Sequence, residues 1–342
     1  MREGWDGLIG HGWAVDMLAT AVEQKQVGHA YLFTGPAHVG KTTLARTFAQ
    51  ALTCREETNP CGHCRTCSLI RNNRHPDVRL VEPETSGRGK LTLKIEAIRD
   101  LQHELNLAAY EAPRKVAILY RFDAATTGAA NAFLKTLEEP PPNVVLLLTA
   151  ESTDALLPTI TSRCRILSLR PLPTELIEQS LTTRWRVAEE EAHLLAHLAD
   201  GRLGWAVRAA QETGILQARE THLEQLQETL GGGRVTRFAL ADKLARNPEQ
   251  LPTILQQWLS WWRDLNLLAQ RLTRNGIPIT NIDRQAELEQ LAQSWTRDQA
   301  LASLKQTSLA LWQLERNANT RLVVENLLLT YPLSGSGTGN RP

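Results

Sequence analysis

The sequence has no excess of either charge: 38 Lys and Arg stand against 37 Asp and Glu in 342 residues. A balanced chain does not grip nucleic acid by its own electrostatics, so work near DNA is expected to run through partners. Long apolar runs are missing too. The longest, Val144 to Leu148, is far short of the ~20 residues a membrane helix needs. The opening MREGWDGLIG has neither the basic start nor the apolar stretch of a secretory signal. These absences predict a soluble, cytoplasmic protein without membrane association. Cysteines are few, and four of the five crowd into residues 54–67. In a reducing compartment such a cluster points to metal or redox chemistry rather than disulfides. No internal repeat is visible. What is present is 42% hydrophobic residues over a length that suits two or three domains, each with its own core.

Residues 30–34 (AYLFT), 78–81, 115–120 (KVAILY), 144–149 and 165–169 read as strands. Helical periodicity covers 42–52, 96–107 and 129–137 between them. In the first of these, Leu44, Ala45, Phe48, Ala49 and Leu52 share a face; Ile95, Ile98, Leu101 and Leu105 mark the second. The alternation predicts an α/β fold with a parallel sheet covered on both faces, over residues 1–170. Beyond Pro173 only helical patterns continue, at 174–230 and 236–330, with Gly231–Gly233 as a joint. This predicts two further helical domains, 171–232 and 233–332. Trp258, Trp261 and Trp262 fall at i, i+3, i+4 and predict a core face. The tail 333–342, ending SGSGTGNRP, is expected to be disordered.

Residues 35–42 read GPAHVGKT, a complete G-x-x-x-x-G-K-T between a predicted strand and a predicted helix. Backbone N–H groups and the helix end would cradle phosphates there. Lys41 would reach the β/γ-phosphates, and the Thr42 hydroxyl would hold Mg²⁺. The candidate nucleotide-binding set is Gly35, Gly40, Lys41, Thr42 and Thr43, for ATP or ADP with Mg²⁺. The plainer reading is a Gly-rich turn with no ligand. An ATPase of this kind also needs an Asp after a second apolar strand. Here 116–119 (VAIL) is followed by Tyr120 and Arg121, and neither is an acid. The nearest acid, Asp123, serves Mg²⁺ only if the strand runs longer. Nucleotide binding with slow hydrolysis is the expectation.

Cys54, Cys61, Cys64 and Cys67 are spaced C-x6-C-x2-C-x2-C. Four thiolates so close suit tetrahedral Zn²⁺, and a closed four-sulfur site is structural rather than catalytic. Pro60 and Gly62 supply turn chemistry. His63 is read as a solvated loop residue, although it stands close enough to replace one Cys. Cys164 is read as core.

Together these segments resemble the bacterial clamp-loader branch of the AAA+ ATPases. The resemblance covers nearly the whole chain: LIGH at 8–11, HAYLFTGPAHVGKTTLA at 29–45, the Cys module, NAFLKTLEEPP at 131–141, SRC at 162–164 and NANTRLVVENLLL at 317–329. It implies an AAA+ domain with a zinc-binding insertion at 54–67, then a helical lid and a helical collar. It implies partners as well: tau/gamma and delta subunits in a hetero-pentameric ring, with the sliding clamp and primer-template DNA reached through the complex. Arg163 takes the place of the family's arginine finger, which acts on the ATP of a neighbouring subunit. Two kinds of member fit. The tau/gamma motor carries an acidic pair where Tyr120-Arg121 stands, and a lid Arg where Gly204 stands, with Arg202 and Arg208 close by. The delta-prime kind lacks motor features and keeps the finger, which matches better. The intact phosphate loop departs from those delta-prime members that have lost it and leaves open whether nucleotide is held, and an active ATPase motor of the tau/gamma type remains the alternative.

Overall fold

A computed structural model describes residues 4–85, 91–270, 277–316 and 318–332. The expected disordered tail, 333–342, lies outside the described residues. The chain divides into two compact units, Met1–Ser180 with Gly201–Trp205, and Leu181–Asp200 with Ala206–Pro342. Among the described residues no helix is long and apolar enough to cross a membrane.

The first unit is built on five strands: β1 (Ala30–Thr34), β2 (Val78–Val81), β3 (Lys115–Leu119), β4 (Val144–Ala150) and β5 (Arg165–Ser168). They lie in the order β2-β3-β4-β1-β5, every pairing parallel. A separate two-residue ladder pairs Glu84–Thr85 with Leu91–Thr92. The sequence pattern places the five main strands to within a residue at each end. The predicted 115–120 stops at Leu119 because the chain turns: Tyr120 N–H donates to Val81 O, and Arg121 takes a left-handed conformation.

Helices α1 (Gly12–Glu23), α2 (Lys41–Thr53), α3 (Arg65–Arg71), α4 (Ile95–Asn106), α5 (Thr127–Glu138) and α6 (Pro158–Thr161) alternate with these strands. Successive strand residues point to opposite faces. Tyr31, Phe33, Val116, Ile118, Val145 and Leu147 join Leu44, Phe48 and Leu52 of α2 in one core. Leu32, Ala117, Leu119, Leu146 and Leu148 join Ile98 and Leu101 of α4 and Phe133 of α5 in a second. Two covered faces explain why these strands read as unbroken apolar runs.

Among the described residues nine helices follow: α7 (Thr174–Trp185), α8 (Glu189–Ala199), α9 (Leu203–Gln211), α10 (Gly214–Gly231), α11 (Arg234–Ala245), α12 (Leu251–Ala269), α13 (Gln285–Ser294), α14 (Arg297–Glu315) and α15 (Thr320–Thr330). Trp258, Trp261 and Trp262 of α12 are fully buried in the core of the second unit, as their spacing predicts. Arg237 of α11 is buried as well. Its guanidinium donates to the carbonyls of Thr229, Leu328, Tyr331 and Pro332, satisfying groups left open where α10 and α15 end.

Asp77, between α3 and β2, fastens the loop before β3. Its carboxylate accepts the N–H groups of Tyr110 at 2.7 Å and of Glu111 and Ala112 at 2.8 Å. Burial opposes the charge, and the three donors outweigh it, holding this carboxyl below the ordinary aspartate range. A depressed folded value stabilises fully above the unfolded value and is lost as pH falls through the folded one. Asp77→Asn is therefore expected to cost about 2 kcal/mol at neutral pH. The gap from wild type should narrow below pH about 3.9 in urea melts. A gap that stays constant into acid would contradict the assignment.

Candidate functional site

The candidate phosphate loop leaves β1 and enters α2. At its start Gly35 has φ +140°, and its N–H donates to Glu151 O at 3.1 Å. A Cβ on Gly35 would lie 2.4 Å from Leu169 O, so both shape and space demand glycine. At its end Gly40 has φ +111° with open space around it, so conformation alone demands glycine there. Lys41 opens α2 and is buried; its Nζ donates to Gly35 O at 2.6 Å and Pro36 O at 2.7 Å. Thr42 is half-buried and Thr43 exposed. His11, which burial holds below the usual imidazole range, binds Val39 O through Nε2 at 3.1 Å and so braces the loop. Sequence reading quoted it only within LIGH and gave it no role.

Gly204 donates its N–H to His38 O of the loop at 2.9 Å. A Cβ at Gly204 would itself lie 2.9 Å from that oxygen, so a side chain there would force the loop backbone to shift. Of the two nearby arginines, Arg202 packs over the Trp205 ring, and Arg208 pairs with Glu212 at 3.2 Å.

The end of β3 carries no acid. Tyr120 and Arg121 occupy the place of the missing acids, and Asp123 sits beyond them in a short 3₁₀ turn, Phe122–Ala124. Because β3 ends at Leu119, the longer strand that would carry Asp123 forward is not formed. Arg121 N–H donates to Thr149 Oγ1 at 2.9 Å, which fixes its backbone against β4. Its guanidinium reaches Asp123 at 3.3 Å and Glu151 at 3.4 Å. Burial depresses the Lys41 ammonium; Glu151 and Asp123 oppose this, and Arg121 adds to it. Two acids, Arg121 and the phosphate-loop lysine thus share one electrostatic neighbourhood. Sequence reading missed Glu151, which lies 30 residues from Arg121 in the chain. Its signal was an acid directly after the apolar strand 144–150.

The four clustered cysteines meet as predicted. Cys54 ends α2, Cys61 lies in the turn, Cys64 caps α3 and Cys67 lies within it. Their sulfurs lie within 4.8 Å of one another, with Cys54–Cys64 and Cys61–Cys67 both at 3.9 Å. Zinc with Zn–S bonds of about 2.3 Å sets its sulfurs about 3.8 Å apart, so the donor set fits a tetrahedral metal ion such as zinc. The N–H of Cys64 points at Cys61 Sγ, and that of Cys67 at Cys64 Sγ. Desolvation disfavours the Cys61 thiolate, yet N–H donors led by Cys64 outweigh it and leave the thiol at about 6. Burial pushes Cys54 and Cys67 up, the direction a bound cation would reverse. Exposed His63 turns Nδ1 to Cys61 O at 2.9 Å. Cys164 lies apart, packed against the second core, its thiol raised by burial.

Arg163 sits between α6 and β5. It is partly exposed, paired with Glu138 of α5 at 2.7 Å and donating to Thr159 O at 2.8 Å. Because Tyr31 is in register with Arg165, Arg163 lies near the start of β1, while the phosphate loop follows its end. At about 3.3 Å per residue, the length of the strand separates the two.

A family model described as DNA polymerase III, delta subunit, matches residues 10–173. The DNA polymerase III subunit delta' of Bacillus subtilis is 36% identical over 185 residues, 54% of each chain. The subunit tau of the same organism is 30% identical over 204 residues, but these span 58% of this chain and only 35% of tau. The subunit delta' of Pseudomonas aeruginosa is 30% identical over 322 residues, covering 91% of this chain and 94% of that one. A match of that extent runs through the phosphate loop, the cysteine module and the helical region alike, and the chain belongs to the DNA polymerase III delta-prime subunit family.

Proposed function

We propose that this chain is the non-hydrolysing delta-prime member of a clamp-loader ring. Its neighbours in that hetero-pentamer are tau/gamma and delta subunits, and together they place the sliding clamp on primer-template DNA. The observation that carries the reading is Arg121. It stands where a hydrolysing site needs a carboxylate, and it ties up both nearby acids, Asp123 and Glu151. With neither acid free to orient water or hold a catalytic cation, Lys41 and Thr42 bind ATP or ADP without turning it over. That weighs against the active motor. The four thiolates hold one structural zinc and pin the end of α2 to α3. The division into an AAA+ domain at 1–170, a lid at 171–232 and a collar at 233–332 belongs to the same reading.

Arg163 serves a neighbouring subunit's nucleotide. Its support is position: it lies at the opposite end of β1 from its own phosphate loop and is partly exposed. A planar guanidinium with five donors suits the charge that builds on a transferring phosphoryl group. The Glu138 pairing then holds the side chain ready rather than locking it, since a half-exposed ion pair is worth about 1 kcal/mol or less.

Three measurements test this. Metal analysis of protein purified without chelator should find one zinc per chain, and Cys61→Ser with Cys64→Ser should lose it; metal-free wild type would sink the zinc assignment. The isolated chain should bind ADP yet show negligible turnover, and a rate near about 1 s⁻¹ would restore the motor reading. In the reconstituted complex, Arg163→Ala should leave assembly and melting temperature unchanged while DNA-stimulated ATPase falls several-fold. The loss is partial because only one site loses a finger worth about 10³–10⁵ in rate. A lowered melting temperature with normal ATPase would reduce Arg163 to a structural tie.

A further inference from the structure

Phosphate loops ordinarily bind nucleotide with Mg²⁺, which the loop hydroxyl and an acid after the neighbouring strand hold together. The residues here do not fit that ion. The two carboxylates near Lys41 are Asp123 and Glu151, and a single guanidinium spans both, at 3.3 and 3.4 Å. The backbone that carries this guanidinium is fixed in place. The Arg121 backbone is held left-handed at φ 49° by its N–H bond to Thr149 and by the carbonyl that receives Ala124 N–H. The Asp123 side chain is only 11% exposed, and its second oxygen, Oδ1, is buried without a hydrogen-bond partner. Arg121 Nε is buried and unpartnered as well. The site therefore already contains a positive charge with unused donor capacity beside the phosphate-loop lysine and its two acids. A divalent ion added beside it would meet like-charge repulsion and carboxylates that are already neutralised.

We propose that Arg121 takes the place of the divalent cation, so that the phosphate loop accepts a nucleoside di- or triphosphate with an affinity independent of Mg²⁺. The topology supplies the reach. Thr34 pairs with Ala150, so Glu151 borders Gly35, and Leu119 pairs with Leu148, so Arg121 emerges beside the end of β4. A guanidinium supplies planar paired donors to phosphate oxygens, as Mg²⁺ supplies charge, but it does not polarise an attacking water. Binding and hydrolysis are thereby uncoupled in a single residue. The proposal rests on the nucleotide-binding reading given above.

The test is titration of the full chain with a fluorescent ADP analogue, with excess magnesium chloride and without it. Magnesium is removed by chelating resin before the protein is added, because a soluble chelator would also strip thiolate-bound metal. Wild type should bind equally well in both buffers, within about twofold. Arg121→Asp, a residue type tolerated in the left-handed region, should create Mg²⁺ dependence, binding roughly tenfold tighter with the ion than without. Arg121→Gln, which keeps the side chain's length and polarity without its charge, should weaken metal-free binding by a similar factor. A wild type that loses roughly tenfold on removing Mg²⁺ overturns the proposal and leaves nucleotide binding standing. A wild type that binds in neither buffer overturns both, and the wild-type arm decides the matter even if a variant fails to fold.

Discussion

Where β1 runs out, Gly35 holds a backbone conformation closed to other residues, and the carbonyl of Leu169 lies so near that no side chain fits between them. That contact joins three segments. Gly35 N–H is tied to Glu151 after β4, Leu169 N–H to Thr34 O at the end of β1, and the chain then turns through the phosphate loop into α2. β1 is paired on both edges, so its end cannot shift without breaking two ladders. Each feature of the candidate site takes its position from this point. Lys41 reaches back to Gly35 O and Pro36 O, Glu151 lies beside Gly35, and Arg121 meets Glu151 from the next strand over. An Ala at position 35 would bring its Cβ into the Leu169 carbonyl, and the whole arrangement would have to move.

Electrostatics then sets the charge around such a loop. Two unit charges about 4 Å apart in a partly buried site interact by about 4 kcal/mol at an effective dielectric of 20. With an acid after β3, that interaction would favour a metal ion and an activated water. With Arg121 there it runs the other way, drawing Asp123 and Glu151 into internal pairs. A single side chain at the end of one strand places a positive charge beside Lys41 where an acid would place a negative one. The phosphate loop itself stays intact, because its glycines answer to backbone geometry rather than to hydrolysis.

Much of this was legible in the sequence because it is local. The five strands announce themselves as apolar runs bounded by Gly, Pro and polar residues, and their two-sided burial explains why they do not alternate. The loop glycines, Lys41 and the four cysteines fall within short windows where spacing alone sets geometry. What escaped is non-local or polar. Nothing near Asp77 in the chain says that it will cap three N–H groups more than thirty residues away. Arg237 looks like a surface helix residue until α15 brings its carbonyls across. Glu151 reads as a loop acid until β3 and β4 are paired. Helix α3 is hidden inside the cysteine motif, where metal-ligand spacing and helical spacing coincide, since Cys64 and Cys67 are both a CxxC step and a helix N-cap with its N3.

The cysteine module and the phosphate loop share one element. Cys54 ends the helix that Lys41 begins. Buried Leu44, Ala45, Phe48, Ala49 and Leu52 press α2 onto the sheet along its length, so the two ends act as a rigid rod. Gln50 near its far end also donates to Cys67 O at 2.8 Å, binding helix and module before any metal is counted. Glu111, on the loop that Asp77 fastens, adds a second anchor by pairing with Arg65 of α3 at 2.8 Å. A module attached at both places fixes where α2 ends, and the packed face carries that constraint back to where it starts. A metal ion held by these four sulfurs would therefore act at a distance from Lys41. It would keep the helix that carries Lys41 from sliding along the sheet, while Glu151, Asp123 and Arg121 set the charge that Lys41 faces.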